Sequence, residues 1–118
     1  MQYNTTMIDP KKIEEWRELI PPEQWPLIVR ELFDPQSGDV SRLVQAMTDG
    51  QDRQAVSAQA HKLKGAAMLL GLLDLGNWAA HIESMALESD APWTEEAIQR
   101  LQSVAAGTLA DLQATLSG

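Results

Sequence analysis

A histidine, a lysine three positions later and a glycine directly after that lysine stand together in the run Ala60-His61-Lys62-Leu63-Lys64-Gly65-Ala66-Ala67-Met68-Leu69-Leu70-Gly71. An imidazole ordinarily titrates near about 6.5, so close to neutral pH much of it is unprotonated and nucleophilic. A lysine one helical turn away supplies a fixed positive charge where an anion would sit. The glycine removes a side chain beside the ring, although mid-helix glycine costs roughly 1 kcal/mol relative to alanine. These residue types suit a phosphoryl group carried on a histidine nitrogen: the ring attacks, the ammonium balances the phosphate oxygens, and the gap admits the donor or acceptor.

That chemistry requires a helix to hold the three residues on one surface. Val56, Ala60, Leu63, Ala67 and Leu70 recur at three- and four-residue steps and form an apolar stripe. On the same wheel Ser57, His61, Lys64, Gly65 and Met68 fall together on another face. Asp52 is placed to cap this helix and Gly71 to end it, which puts it at about residues 53–71.

The Ala60-to-Ala67 run, followed by Leu70-Gly71, Leu75 and Ile82-Glu83, resembles the signature of histidine-containing phosphotransfer (HPt) domains of bacterial multistep phosphorelays. The likeness is concentrated in residues 55–83. It implies His61 as the phosphorylated residue, Lys64 as the phosphate partner, Gly65 as the clearance position and Glu83, on the next helix, as a neighbour that orients the ring. It also implies partners: the receiver domain of a hybrid sensor kinase and that of a response regulator, each presenting an aspartate. Magnesium is then expected on the receiver, with no cofactor belonging to this chain. Such a domain accepts phosphate without a nucleotide site and does not phosphorylate itself. It occurs as a free-standing protein or as the C-terminal domain of a hybrid sensor kinase.

Taken in order, the chain reads as one helical domain over residues 1–118. Residues 1–7 are polar and expected to fray. Asp9-Pro10 opens a short helix through Ile13, Trp16 and Ile20, which Pro21-Pro22 stops. Trp25, Ile28, Val29 and Leu32 give a second helix, with Pro26 tolerated in its first turn. Asp34-Pro35-Gln36-Ser37-Gly38 then breaks the pattern where HPt domains usually run one long helix, so a kink or short loop is expected before helix resumes over residues 39–47. Thr48-Asp49-Gly50 marks an exit.

Beyond Gly71, Leu75, Ala79, Ile82 and Ala86 form the stripe of a partner helix over about 72–88, flanked by Glu83. The short connection makes it an antiparallel neighbour of the histidine helix. Residues 89–92 read as a loop. Thr94 caps a last helix, with Glu95 and Glu96 in its first turn and a stripe of Ile98, Leu101, Ala105, Leu109, Leu112 and Leu116. The expected fold is all-α: an antiparallel four-helix bundle with a short extra N-terminal helix across one end.

Bulk properties exclude other classes. Zero cysteines remove disulfide scaffolds and thiol chemistry. A net charge of -8 argues against nucleic acid or anionic lipid as the main partner. No apolar run approaches the ~20 residues that span a bilayer, so a cytoplasmic domain, or the cytoplasmic part of a membrane-bound sensor kinase, is expected, without direct membrane contact. A chain with four helices of its own closes its core as a monomer.

Ser57, Met68 and Leu72 are expected to rim the histidine and supply a docking surface for the partner. His81 with Glu83 lacks the close helical spacing of a zinc site, and no metal ligands are assigned. Two other readings compete. In a non-catalytic helical interaction module with the same fold, His61 is incidental. The dimerising domain of a sensor kinase usually carries an acidic residue directly after its histidine, where this chain has Lys62.

Overall fold

The computed structural model describes residues 7–50, 52–88 and 92–117, and among these every regular element is helical. They are α1 (Pro10–Leu19), a 3-10 turn (Pro22–Gln24), α2 (Trp25–Phe33), α3 (Asp39–Thr48), α4 (Arg53–Leu70), α5 (Leu73–Glu88) and α6 (Glu95–Ser117). Residues 1–6, and 89–91 of the expected 89–92 loop, lie outside the described residues.

Local chemistry explains the boundaries. The Asp9 carboxylate accepts from the amides of Lys11 and Lys12, with Pro10 at the first helical position where its missing N–H costs nothing. Asp52 accepts from the Ala55 amide at 2.8 Å and starts α4. Thr94 Oγ1 accepts from the Ala97 amide at 3.1 Å and starts α6. The break at residues 34–38 is a complete turn between two helices. Asp34 folds it by accepting from the amides of Gln36 and Ser37 and from the Ser37 hydroxyl. Gly38 then passes so close that a Cβ there would lie 2.5 Å from the Asp34 nitrogen.

Gly71 ends α4 in the left-handed region, at φ +82°. The Leu72 amide donates to the Ala67 carbonyl at 2.8 Å and the Gly71 amide to that of Met68 at 3.2 Å. These are the two bonds of a Schellman cap, in which the residue after the glycine packs back onto the helix it has left. Leu72 and Ala67 are accordingly both fully buried.

α4 and α5 share the most extensive contact in the molecule, and α3, α4, α5 and α6 form a closed ring of neighbours: α3 on α4, α4 on α5, α5 on α6 and α6 on α3. This is a helical bundle. The stripe expected on α4 fills its centre, with Val56, Ala60, Leu63 and Ala67 fully buried and Leu70 at the edge. From α5, Leu75, Ala79 and Ile82 meet it, and from α6, Leu101 and Leu112. Each fully buried Leu or Ile contributes about 1.5–3 kcal/mol of transfer free energy. The alanines keep the α4 and α5 backbones close enough for a side chain on one to reach the other. No helix among the described residues is long and apolar enough to cross a membrane.

α1 closes one end. The Asp9 amide donates to the Gly71 carbonyl at 2.7 Å, the Asp74 amide to that of Met7 at 3.4 Å, and the Trp16 indole N–H to that of Leu69 at 2.9 Å. Leu69 and Gly71 lie where a helix C-terminus leaves carbonyls without intrahelical partners, and the N-terminal segment supplies donors. Trp16→Phe keeps an aromatic ring but removes the indole donor. It is expected to lower unfolding free energy by about 1–2 kcal/mol in urea titration.

Candidate functional site

His61 sits midway along α4 on the side away from the core, with 66% of its side chain exposed. Its Nδ1 lies 2.9 Å from Glu83 Oε2 on α5. Lys64, one turn after His61, places Nζ 3.0 Å from the other oxygen of the same carboxylate, Oε1. Glu83 is half-buried between the two helices and carries both partners at once. Its pKa is lowered, first by the hydrogen bond from Lys64; partial burial pushes the other way, and the contact with His61 adds to the lowering. Glu83 is therefore ionised at neutral pH.

That fixes the imidazole. An ionised carboxylate only accepts, so the ring must donate from Nδ1. In the neutral ring Nε2 then has no hydrogen and keeps its lone pair. The arrangement presents one nucleophilic nitrogen, a second nitrogen held by an anion on the neighbouring helix, and an ammonium one turn away.

Gly65 shares this surface, and a Cβ built there meets nothing within 4 Å. Gly76 shows the contrasting case. A Cβ on it would come within 2.8 Å of Met68 Sδ, so this glycine lets the methionine fold across α5. Met68, 38% exposed, thus lies partly over α5 and partly in solvent.

The remaining expected docking residues differ from the helical-wheel reading. Leu72 is fully buried, because the Schellman cap at Gly71 turns it into the core rather than towards His61. Ser57 shares the face of His61 but is only 8% exposed. It lies at one wall of an open depression of 380 Å³ shared with Gln54, Ala58, His61, Glu83 and Leu87. Leu87, 67% exposed, lines that depression with His61, and Leu69, 60% exposed, lies two turns further along α4. Leu69 was legible in principle, since it follows His61 and Gly65 at four-residue steps.

Lys62, next to the histidine in sequence, turns to the other side of α4. Its Nζ lies 3.3 Å from Oδ1 of Asp39, a buried carboxylate at the start of α3. His81 stacks against Trp78, with ring centroids 4.9 Å apart, and does not join Glu83. Among the described residues no group of three or more His, Cys, Asp or Glu side chains is placed to hold a metal ion. Arg53 anchors the start of α4, with its guanidinium 4.5 Å from the centre of the Trp93 ring and a bond to the Met85 carbonyl at 3.4 Å.

The family model of the Hpt domain matches residues 27–115, well over half of the 118. The chain belongs to the Hpt domain family. Hpt domains serve histidine phosphotransfer in phosphorelays, interact with receiver domains and act as phosphocarriers without kinase activity. No curated protein and no solved structure matches this chain. The match begins inside α2, so α1 and the 3-10 turn lie outside the part that the family model describes in this Hpt domain.

Two measurements test the geometry. Gly65→Ala should raise stability by about 0.5–1 kcal/mol in urea titration, since it improves helix propensity and meets no neighbour. For Glu83 the linkage sign follows from a lowered folded-state pKa. The stabilisation is fully present above the ordinary value of 4.5 and is lost as pH falls through the lowered one. The stability difference between wild type and Glu83→Gln should therefore shrink in urea titrations carried below pH 4.5; a difference that persists unchanged down to about pH 2 contradicts the pairing.

Proposed function

We propose that this Hpt domain accepts a phosphoryl group from a receiver-domain aspartate onto His61 Nε2 and passes it to the aspartate of another receiver. The observation that carries the reading is the shared Glu83 carboxylate, which leaves Nε2 as the nucleophilic atom of an exposed ring with a cation one turn away.

In the forward step the Nε2 lone pair attacks phosphorus. The N–P bond forms as the bond from phosphorus to the aspartyl oxygen breaks, and that electron pair returns to the receiver's carboxylate. The ring becomes a phosphoimidazolium with its proton still on Nδ1. Glu83, facing that proton at 2.9 Å, stabilises the positive charge. Lys64 can exchange Glu83 Oε1 for a phosphoryl oxygen. The second receiver reverses the sequence: its carboxylate attacks phosphorus and the N–P electron pair returns to Nε2.

Glu83 also bears on how long the phosphate survives. A carboxylate that already holds two donors and has a lowered pKa is a poor base for activating water. Gly65 opens the approach on the phosphorylated face. In this reading α3 to α6 run as an antiparallel four-helix bundle, the domain works as a monomer, and magnesium belongs to the receiver. There a divalent cation neutralises phosphate charge during transfer. The working compartment is the cytoplasm or the cytoplasmic side of a sensor kinase.

The test is incubation with a phosphorylated receiver domain and magnesium. Wild type should gain an acid-labile, base-stable phosphate, and His61→Gln should gain none while still binding the receiver. Lys64→Ala should slow transfer about tenfold or more. A folded wild type that takes no phosphate from a panel of active receivers rejects the carrier reading in favour of a non-catalytic interaction module.

A further inference from the structure

The exposed row of α4 continues past the histidine. His61, Gly65 and Leu69 follow at four-residue steps, so Leu69 lies about 12 Å along the helix from His61. Leu69 forms one lip of a 250 Å³ cavity whose apolar walls include Trp16 and Ile20 from α1 and Ile28 from α2. That is below the roughly 300–1,000 Å³ of pockets that enclose cofactors or metabolites, and it suits a single long side chain.

Two carboxylates line the cavity, Asp39 from α3 and Glu31 from α2. The Asp39 side chain is only 7% exposed, and its ion-pair partner Lys62 is 59% exposed. A carboxylate has about four acceptor positions, and the lysine takes one of them at 3.3 Å. The cavity thus holds two negative groups against one positive, in walls that are otherwise apolar. A buried carboxylate gains from every further charge-assisted donor it receives. The Trp16 ring, fixed by its indole bond to the Leu69 carbonyl, adds a face on which a guanidinium can lie.

We propose that this cavity seats an arginine side chain of the receiver that docks on His61, its stem against Leu69 and Ile28 and its guanidinium on Asp39 and Glu31. The identity of the partner rests on the phosphocarrier reading. The site is favoured by charge complementarity and by its continuity with the row that carries His61. Trp16 and Ile20 lie outside the family match at residues 27–115.

The test has two arms. In amide and indole proton–nitrogen correlation spectra of the full chain, n-butylguanidinium chloride should produce saturable shifts at the Trp16 indole and the Leu69 amide. Glu31→Gln and Asp39→Asn should each weaken that binding at least fivefold, and n-butanol should bind at least tenfold more weakly than n-butylguanidinium. No saturable shift, or affinity that neither variant changes, overturns the proposal. Glu31 is exposed, so its variant remains informative if Asp39→Asn perturbs α3. In the second arm, Leu69→Glu should raise the KM for phosphorylated receiver at least tenfold with kcat nearly unchanged, and an unchanged KM overturns the proposal. The butylguanidinium arm involves no phosphoryl transfer. Binding there, together with failure of wild type to take phosphate, removes the receiver as occupant and overturns the assignment while leaving the cavity's cation affinity established.

Discussion

The turn at Gly71 sets the register on which the site depends. Its left-handed backbone reverses the chain within two residues, and α5 doubles back along α4 from there. Met68 against Gly76 and His61 against Glu83 are pairs symmetric about Leu72, as expected for two helices leaving one tight turn at equal rise. Shifting the turn by one residue would rotate Glu83 by about 100° relative to α4 and carry its carboxylate away from the ring. The turn is also held from outside, since the Asp9 amide bonds the Gly71 carbonyl and Lys12 packs where a Cβ on Gly71 would stand. Backbone geometry some 15 Å from the histidine thus determines which carboxylate the ring meets.

The electrostatic consequence is a local exception in an acidic molecule. The net charge is -8, yet the carboxylate paired with His61 is one whose charge Lys64 already offsets. Lys62 is drawn to the opposite flank by Asp39, so two adjacent lysines serve different surfaces. Long-range attraction does little to bring an anionic phosphoryl donor to such a protein. In the proposed phosphocarrier role, encounter relies on short-range fit, and the exposed apolar side chains of Leu87 and Leu69 are candidates to supply it.

Much of this was legible because helical periodicity converts spacing into geometry. Asp9, Asp52 and Thr94 cap the helices at the positions their side chains predict, and Gly71 ends α4 where a glycine after an apolar stripe should. The shared face of His61, Lys64 and Gly65 follows from the same period. What escaped depends on contacts between elements. Leu72 reads as a rim residue until the Schellman bonds turn it inward. Ser57 lies on the correct face of an isolated wheel, but it is buried where α4 meets its neighbours. The Lys62–Asp39 pair joins residues 23 positions apart, and no local pattern announces it.

Gly65 shows how the structure sharpens a sequence argument. A mid-helix glycine has two physical explanations, close packing against a neighbouring element or clearance for something outside the chain. Gly76 and Gly107 have the first, since Met68 and Met7 occupy the space where their Cβ atoms would be. Gly65 has no such neighbour, and its backbone lies in an ordinary right-handed helix where alanine would be more stable. Nothing among the described residues accounts for the roughly 1 kcal/mol forgone at this position. The proposed role of Gly65 is clearance for a body that approaches the surface beside His61. In the proposed phosphocarrier role that body is the receiver carrying its phosphoaspartate, and on that reading the stability forgone at Gly65 by the isolated domain is offset in the complex.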